Sequence, residues 1–273
     1  MSFIETRDGT QLYYKDWGSG RPVVLIHGWP LDADMWEYQM PVLAAAGYRV
    51  IAYDRRGFGR SGQPWTGYDY DTLADDLKAV LDGLDLRDAA LVGFSMGGGE
   101  IARYMSRHAG ARVAKAVLVS AVTPYLLKAE DHPGGVDRSV FEGMIDGLKR
   151  DRPAFLANFS KTFFGAGVFH SPASTELMTW TGNLAMLASP KATVDCVTAF
   201  GTTDFRGDMG QFKVPTLVIH GDDDRTVPID VSGRAAAAAI PGATFVVYEG
   251  APHAVPFTHA ERLNADLLAF LGG

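Results

Sequence analysis

Ser95 lies at the middle of Gly93-Phe94-Ser95-Met96-Gly97, between an apolar run from Ala89 to Val92 and helix formers from Glu100 to His108. Glycines around a central serine suit a strand that turns abruptly into a helix, holding the middle residue in a strained backbone conformation with its hydroxyl exposed. In a chain with 31 glycines such a pattern also arises by chance. The strand-turn-helix setting is what singles out Ser95 as a nucleophile.

A serine hydroxyl is a weak nucleophile at neutral pH and needs a histidine to take its proton and a carboxylate to orient that histidine. Among seven histidines, His253 in Gly250-Ala251-Pro252-His253 alone combines a loop after a strand with a place downstream of an acidic loop. His259 begins the last helix, where a solvated or capping role fits it better. His108 ends a helix and suits that helix's terminal carbonyls. His132 and His170 fall in loops with no evident partner, and His27 is assigned no chemistry. The acid belongs to Asp222-Asp223-Asp224, just past the strand Thr216 to Ile219, where parallel sheets place their sites. The residues alone leave the three aspartates open.

An acyl-transfer serine also needs two backbone donors for the developing oxyanion. The amide of Met96 follows the nucleophile and opens a helix whose dipole favours negative charge. The other is expected from His27-Gly28-Trp29-Pro30, after the strand Val23 to Ile26. Pro30 has no amide hydrogen, which leaves Trp29.

The elements that must carry these groups alternate along the chain: strands at Val23 to Ile26, Arg49 to Tyr53, Ala89 to Val92 and Val113 to Val119, with helices Met35 to Ala46, Tyr70 to Leu84 and Met96 to His108 between them. Phe3 to Thr6 and Gln11 to Trp17 form an antiparallel edge hairpin through Asp8-Gly9. From Pro124 to Gln211 the strand signals vanish, and Pro133-Gly134-Gly135, Pro153, Pro172 and Pro190 divide four helices. Strands resume at Thr216 to Ile219 and Thr244 to Tyr248, with helices near Val231 to Ile240 and His259 to Leu271. This predicts an α/β fold with a mostly parallel eight-stranded sheet, helices on both faces, a core of 1–123 and 212–273, and a helical cap of 124–211.

A hydrophobic share of 47% and a charged share of 21% are those of a soluble globular chain, and no apolar stretch reaches membrane-spanning length. The net charge of −7 carries no basic tract, which argues against nucleic acid. The N-terminus lacks a basic region followed by an apolar core, so a cytoplasmic location is expected. Cys196, the single cysteine, is read as packing. No His, Cys or carboxylate cluster has metal-ligand spacing, so no metal or cofactor is expected. Asp54 to Ser61 lacks the Lys-Ser/Thr ending of a phosphate loop and reads as a buried loop held by charge pairs.

Along its whole length the chain resembles the α/β-hydrolases. His27-Gly28-Trp29-Pro30-Leu31, Asp54-Arg55-Arg56-Gly57-Phe58-Gly59-Arg60-Ser61, Gly93-Phe94-Ser95-Met96-Gly97-Gly98-Gly99 and Lys191-Ala192-Thr193-Val194-Asp195-Cys196 narrow the likeness to the cofactor-free bacterial haloperoxidases and aryl esterases. The family's Gly-Asp-x-Asp-x-x-Val-Pro pattern implies Asp224 as the acid, Asp222 as a turn residue and Asp223, where glycine is frequent, as an added charge. The resemblance implies hydrolysis of small aryl or alkyl esters or lactones through an acyl-serine. Hydrogen peroxide would be a second acyl acceptor, and a homo-oligomer is implied as well. Pro30 fixes the local backbone and so sets where the Trp29 carbonyl points; a carbonyl facing the acyl group would accept a hydrogen bond from peroxide. Phe141, Phe155, Phe159, Phe163, Trp180 and Met186 of the cap are expected around the acyl group. Ser95 argues against dehalogenases and epoxide hydrolases, which need a carboxylate there. Amidases and lactamases, carbon-carbon bond hydrolases, hydroxynitrile lyases and a catalytically idle small-ligand receptor or carrier share the scaffold.

Overall fold

Apolar runs such as Val23-Val24-Leu25-Ile26 leave no polar face, and in the computed structural model, which describes residues 2–167 and 171–273, those side chains are fully buried. His170 lies outside the described residues. Among these residues eight strands form one sheet: β1 (Phe3–Glu5), β2 (Gln11–Trp17), β3 (Arg21–Ile26), β4 (Tyr48–Tyr53), β5 (Ala89–Phe94), β6 (Val113–Val119), β7 (Thr216–Gly221) and β8 (Thr244–Tyr248). Their order is β1-β2-β4-β3-β5-β6-β7-β8. β1 and β2 run antiparallel at one edge and the rest are parallel. β3 and β5 are direct neighbours, Ile26 opposite Gly93, so the loops leaving both strands emerge side by side at the sheet's carboxyl edge.

Helices α1 (Met40–Ala45), α2 (Tyr70–Gly83) and α3 (Met96–Arg107) follow β3, β4 and β5. The single helix expected over Met35 to Ala46 is instead two pieces. Asp32 accepts the Asp34 amide at 2.9 Å and starts a short 3-10 turn, Ala33–Trp36. Pro41, which has no N–H, fits only the first turn of α1, so the chain restarts there.

Between β6 and β7 lie α4 (Arg138–Phe163), α5 (Thr175–Met186), α6 (Pro190–Thr202) and α7 (Arg206–Met209). α4 is broken at Asp151 (φ −155°, ψ 86°), whose carboxylate accepts the Ala154 amide at 3.0 Å and caps a new helical arm with Pro153 in its first turn. The ring of Phe141 lies on Gly201 of α6, where a Cβ would come within 2.7 Å of it. Cys196 is buried in α6, and burial pushes its thiol up to about 12. The chain ends with α8 (Gly233–Ala239), α9 (Val255–Thr258) and α10 (Ala260–Gly272), with His259 at the junction of the last two. Among the described residues no helix is long and apolar enough to cross a membrane.

Candidate active site

The turn from β5 into α3 works only because its flanking positions lack side chains. A Cβ on Gly93 would stand 2.5 Å from the Gly97 carbonyl oxygen, and one on Gly97 would stand 2.5 Å from that of Ile26. Ser95 between them adopts φ 54° and ψ −116°, in the left-handed half of backbone space. Its amide donates to the Val119 carbonyl at 2.9 Å, and its own carbonyl accepts the Gly98 amide at 3.0 Å. The backbone is thereby held, and the hydroxyl projects past the sheet.

Three elements converge on that hydroxyl. Nε2 of His253, on the loop after β8, is 2.9 Å from Ser95 Oγ, and Nδ1 of the same ring is 2.6 Å from Asp224 Oδ2, on the loop after β7. A carboxylate only accepts, so Nδ1 carries the proton and Nε2 is free to take one from the serine. Asp224 Oδ1 accepts the amides of Thr226 and Val227 at 2.9 and 2.8 Å. Burial alone would raise the Asp224 carboxyl, but His253 and the neighbouring His220 hold it well below the usual carboxylate range. Asp222 accepts the Gly250 amide at 2.6 Å and ties the two loops together, while Asp223 pairs with Arg225 at the surface. His220 is the residue that the sequence reading passes over. Its spacing of four from Asp224 was visible, but its imidazole's approach to within 3.1 Å of Asp224 Oδ2 depends on how the loop after β7 folds back.

The loop after β3 crosses directly over the nucleophile: a Cβ on Gly28 would stand 3.1 Å from Ser95 Cβ. Among the described residues no protein acceptor binds the amide of Trp29 or of Met96. A buried charged network fixes this loop from below. Arg55 donates Nε to Glu100 of α3 at 2.8 Å and NH2 to the His27 carbonyl at 2.8 Å, and its backbone amide donates to His27 Nε2 at 2.9 Å. Burial, with Arg55 beside it, holds His27 well below the ordinary histidine value. The Trp29–Pro30 bond is cis. The Asp54–Ser61 loop is buried and tied by ion pairs, Arg60 to Asp54 at 2.8 Å and Arg56 to Asp76 at 2.6 Å.

Ser95, His253 and Trp29 line a cavity of about 490 Å³ that is walled largely by apolar side chains from α4 and α6. Phe141, Phe155 and Phe159 line it, together with Phe200, which was not anticipated. Three expected pocket residues do not line it. Phe163 turns away and packs edge-on to Phe94 and His253; Trp180 meets Phe257 edge-on; Met186 is 38% exposed on a separate surface groove. The break at Asp151 turns the second arm of α4 so that Phe155 and Phe159 face the cavity, and α5 lies behind that arm. Pro30 is likewise off the cavity, beside a small void shared with Phe159 and Phe163. Of the remaining histidines, His108 pairs with Asp75 of α2 at 2.8 Å rather than with its own helix's carbonyls. His259 sits 2.9 Å from the Thr258 hydroxyl, and His132 lies against Tyr125. Among the described residues no cluster of three or more His, Cys, Asp or Glu could hold a metal ion.

A family model described as the alpha/beta hydrolase fold matches residues 21–260. The chain is 47% identical to a non-heme chloroperoxidase, CPO-A1, of Kitasatospora aureofaciens over 99% of both chains. It is 40% identical to a bifunctional esterase/perhydrolase of Acinetobacter calcoaceticus, again over 99% of each. Among solved structures, a bromoperoxidase from Bacillus anthracis superposes with a TM-score of 0.96 at 49% identity, covering all of this chain and 99% of that one.

Proposed function

Because the chain belongs to the α/β-hydrolase family, we propose that it is a serine esterase for small aryl or alkyl esters and lactones, with peroxide able to replace water as acyl acceptor. The observation that carries this reading is the line from Ser95 Oγ through His253 to the buried Asp224, at 2.9 and 2.6 Å.

Ser95 Oγ attacks the ester carbonyl while its proton passes to His253 Nε2. The carbonyl oxygen gains negative charge facing the amides of Trp29 and Met96, which supply donors without reorganising. When the intermediate collapses, the carbon–oxygen bond to the leaving alcohol breaks and His253 returns the proton to that alcohol. His253 then takes a proton from water or hydrogen peroxide, whose oxygen bonds the acyl carbon as the Ser95 ester bond breaks and the proton passes to Ser95 Oγ, giving the acid or the peracid. A released peracid can hand its terminal oxygen to a halide ion. Every step is completed by side chains and backbone amides of this chain, so the reading needs no cofactor. Pro30 fixes the turn that aims the Trp29 carbonyl, and with it the choice between water and peroxide; the ratio of the two rates in Pro30→Leu is its measure. The family resemblance extends the reading to a homo-oligomer.

The decisive experiment is p-nitrophenyl acetate turnover, with and without peroxide, in the wild type and Ser95→Ala. Loss of the nucleophile is expected to lower kcat by about 10⁴-fold or more. Residual turnover within tenfold of the wild type sinks the acyl-serine route. A panel of amides and carbon-carbon substrates that turned over faster than any ester would move the assignment to those chemistries.

A further inference from the structure

We propose that His220 is a positioning residue for Asp224, holding the carboxylate at the orientation and charge that His253 needs. The proposal rests on the Ser95–His253–Asp224 reading above. His220 is the penultimate residue of β7 and fully buried. Its Nε2 lies 2.9 Å from the Val227 carbonyl and 3.1 Å from Asp224 Oδ2. Both neighbours only accept, so Nε2 carries a proton, donated to the Val227 carbonyl with Asp224 Oδ2 close beside it. Nδ1 is buried without a hydrogen-bond partner, and a Cβ built on Gly233 would come within 2.7 Å of it.

A buried histidine with a purely structural task would be satisfied by the Val227 carbonyl alone. Here the same N–H also reaches the one carboxylate oxygen that binds His253, so Oδ2 stands between two imidazoles while Oδ1 is held by the amides of Thr226 and Val227. Two consequences follow. The carboxylate cannot rotate Oδ2 away from His253 without abandoning His220. Part of the charge on Oδ2 is also spent on His220, which tempers how tightly Asp224 retains a proton on His253. The same loop also carries Asp222, Asp223 and Arg225, and Arg150, Asp151 and Arg225 line the cavity onto which His253 opens.

The test compares His220→Gln, whose terminal amide reaches about as far as Nε2, with His220→Asn, which is of similar polarity but too short. In His220→Asn, kcat for p-nitrophenyl acetate is expected to fall about tenfold with KM within twofold, and the acid limb of kcat/KM to leave its wild-type position because the carboxylate facing His253 has lost a neighbour. His220→Gln should restore most of kcat and return the limb toward its wild-type position. Circular dichroism of both variants establishes that they are folded, and Asp224→Asn runs beside them. An inactive Asp224→Asn with both His220 variants matching the wild type in kcat and acid limb overturns this proposal alone. Equal losses in Gln and Asn with an unmoved limb also overturn it, since they reduce His220 to packing. An active Asp224→Asn overturns the triad reading itself.

Discussion

Ser95 occupies a backbone conformation that a residue with a side chain adopts at a cost of about 1–3 kcal/mol. Replacing it with glycine relieves that strain, so Ser95→Gly is expected to be inactive yet more stable by about 1 kcal/mol, read from urea denaturation at neutral pH. Gly97 runs the other way. Its missing Cβ would meet the Ile26 carbonyl at 2.5 Å, so Gly97→Ala must push α3 off β3, and with it the Met96 amide from the loop over Ser95. A loss of about 2–4 kcal/mol in stability together with most of the turnover is expected; a variant as stable and active as the wild type would show that the contact is soft. The convergence of Ser95, His253 and the aspartate loop was legible because glycine, proline and aspartate write tight turns locally and a parallel sheet gathers such turns at one edge, whereas Asp224 among its three aspartates came only from the family resemblance. His220 was not legible in that way, since a histidine at a strand's end looks the same whether or not the next loop folds back onto it.

Elements are joined by buried ion pairs as well as by apolar packing. Arg55 joins the Asp54–Ser61 loop to α3 through Glu100 and to the oxyanion loop through the His27 carbonyl. Arg55→Met leaves Glu100 buried without its ion pair and is expected to cost about 3–5 kcal/mol by thermal denaturation. The 3-10 turn after β3 supplies a pH dependence. Burial, reinforced by the neighbouring Asp54 carboxylate, pushes Asp32 up to about 7, and its Oδ2 has no partner. The folded chain therefore holds this proton more tightly than the unfolded one. The group's contribution is greatest at acid pH and is lost as pH rises toward 7. Asp32→Asn keeps an acceptor for the Asp34 amide and should exceed the wild type by about 2 kcal/mol at pH 8, the gap closing toward pH 5, in urea melts across that range. The same turn explains why one helix expected from Met35 to Ala46 became two: apolar periodicity ran through the whole stretch, and Asp32 capping and Pro41 overrode it.

For the molecule as a whole, the cavity volume of about 490 Å³ bounds the substrate. With p-nitrophenyl esters, kcat/KM should be highest for short acyl chains and fall at least about tenfold by laurate, while Phe200→Ala should flatten that decline; an unchanged chain-length profile in Phe200→Ala would take that ring out of the acyl wall. The mostly parallel eight-stranded sheet followed from alternating strand and helix signals, but which aromatics between β6 and β7 face the substrate did not. That depends on the turn α4 makes at Asp151 and on which side α5 lies, neither of which is encoded by apolar spacing on a single helix. The strained serine has a last consequence, in descent rather than in chemistry. At position 95, selection for folding and selection for turnover pull in opposite directions. A gene copy freed from the need to turn over substrate would be drawn to shed its nucleophile first, while keeping an intact, better-folded pocket. Catalytically silent ligand receptors are therefore a short mutational step from an enzyme built this way.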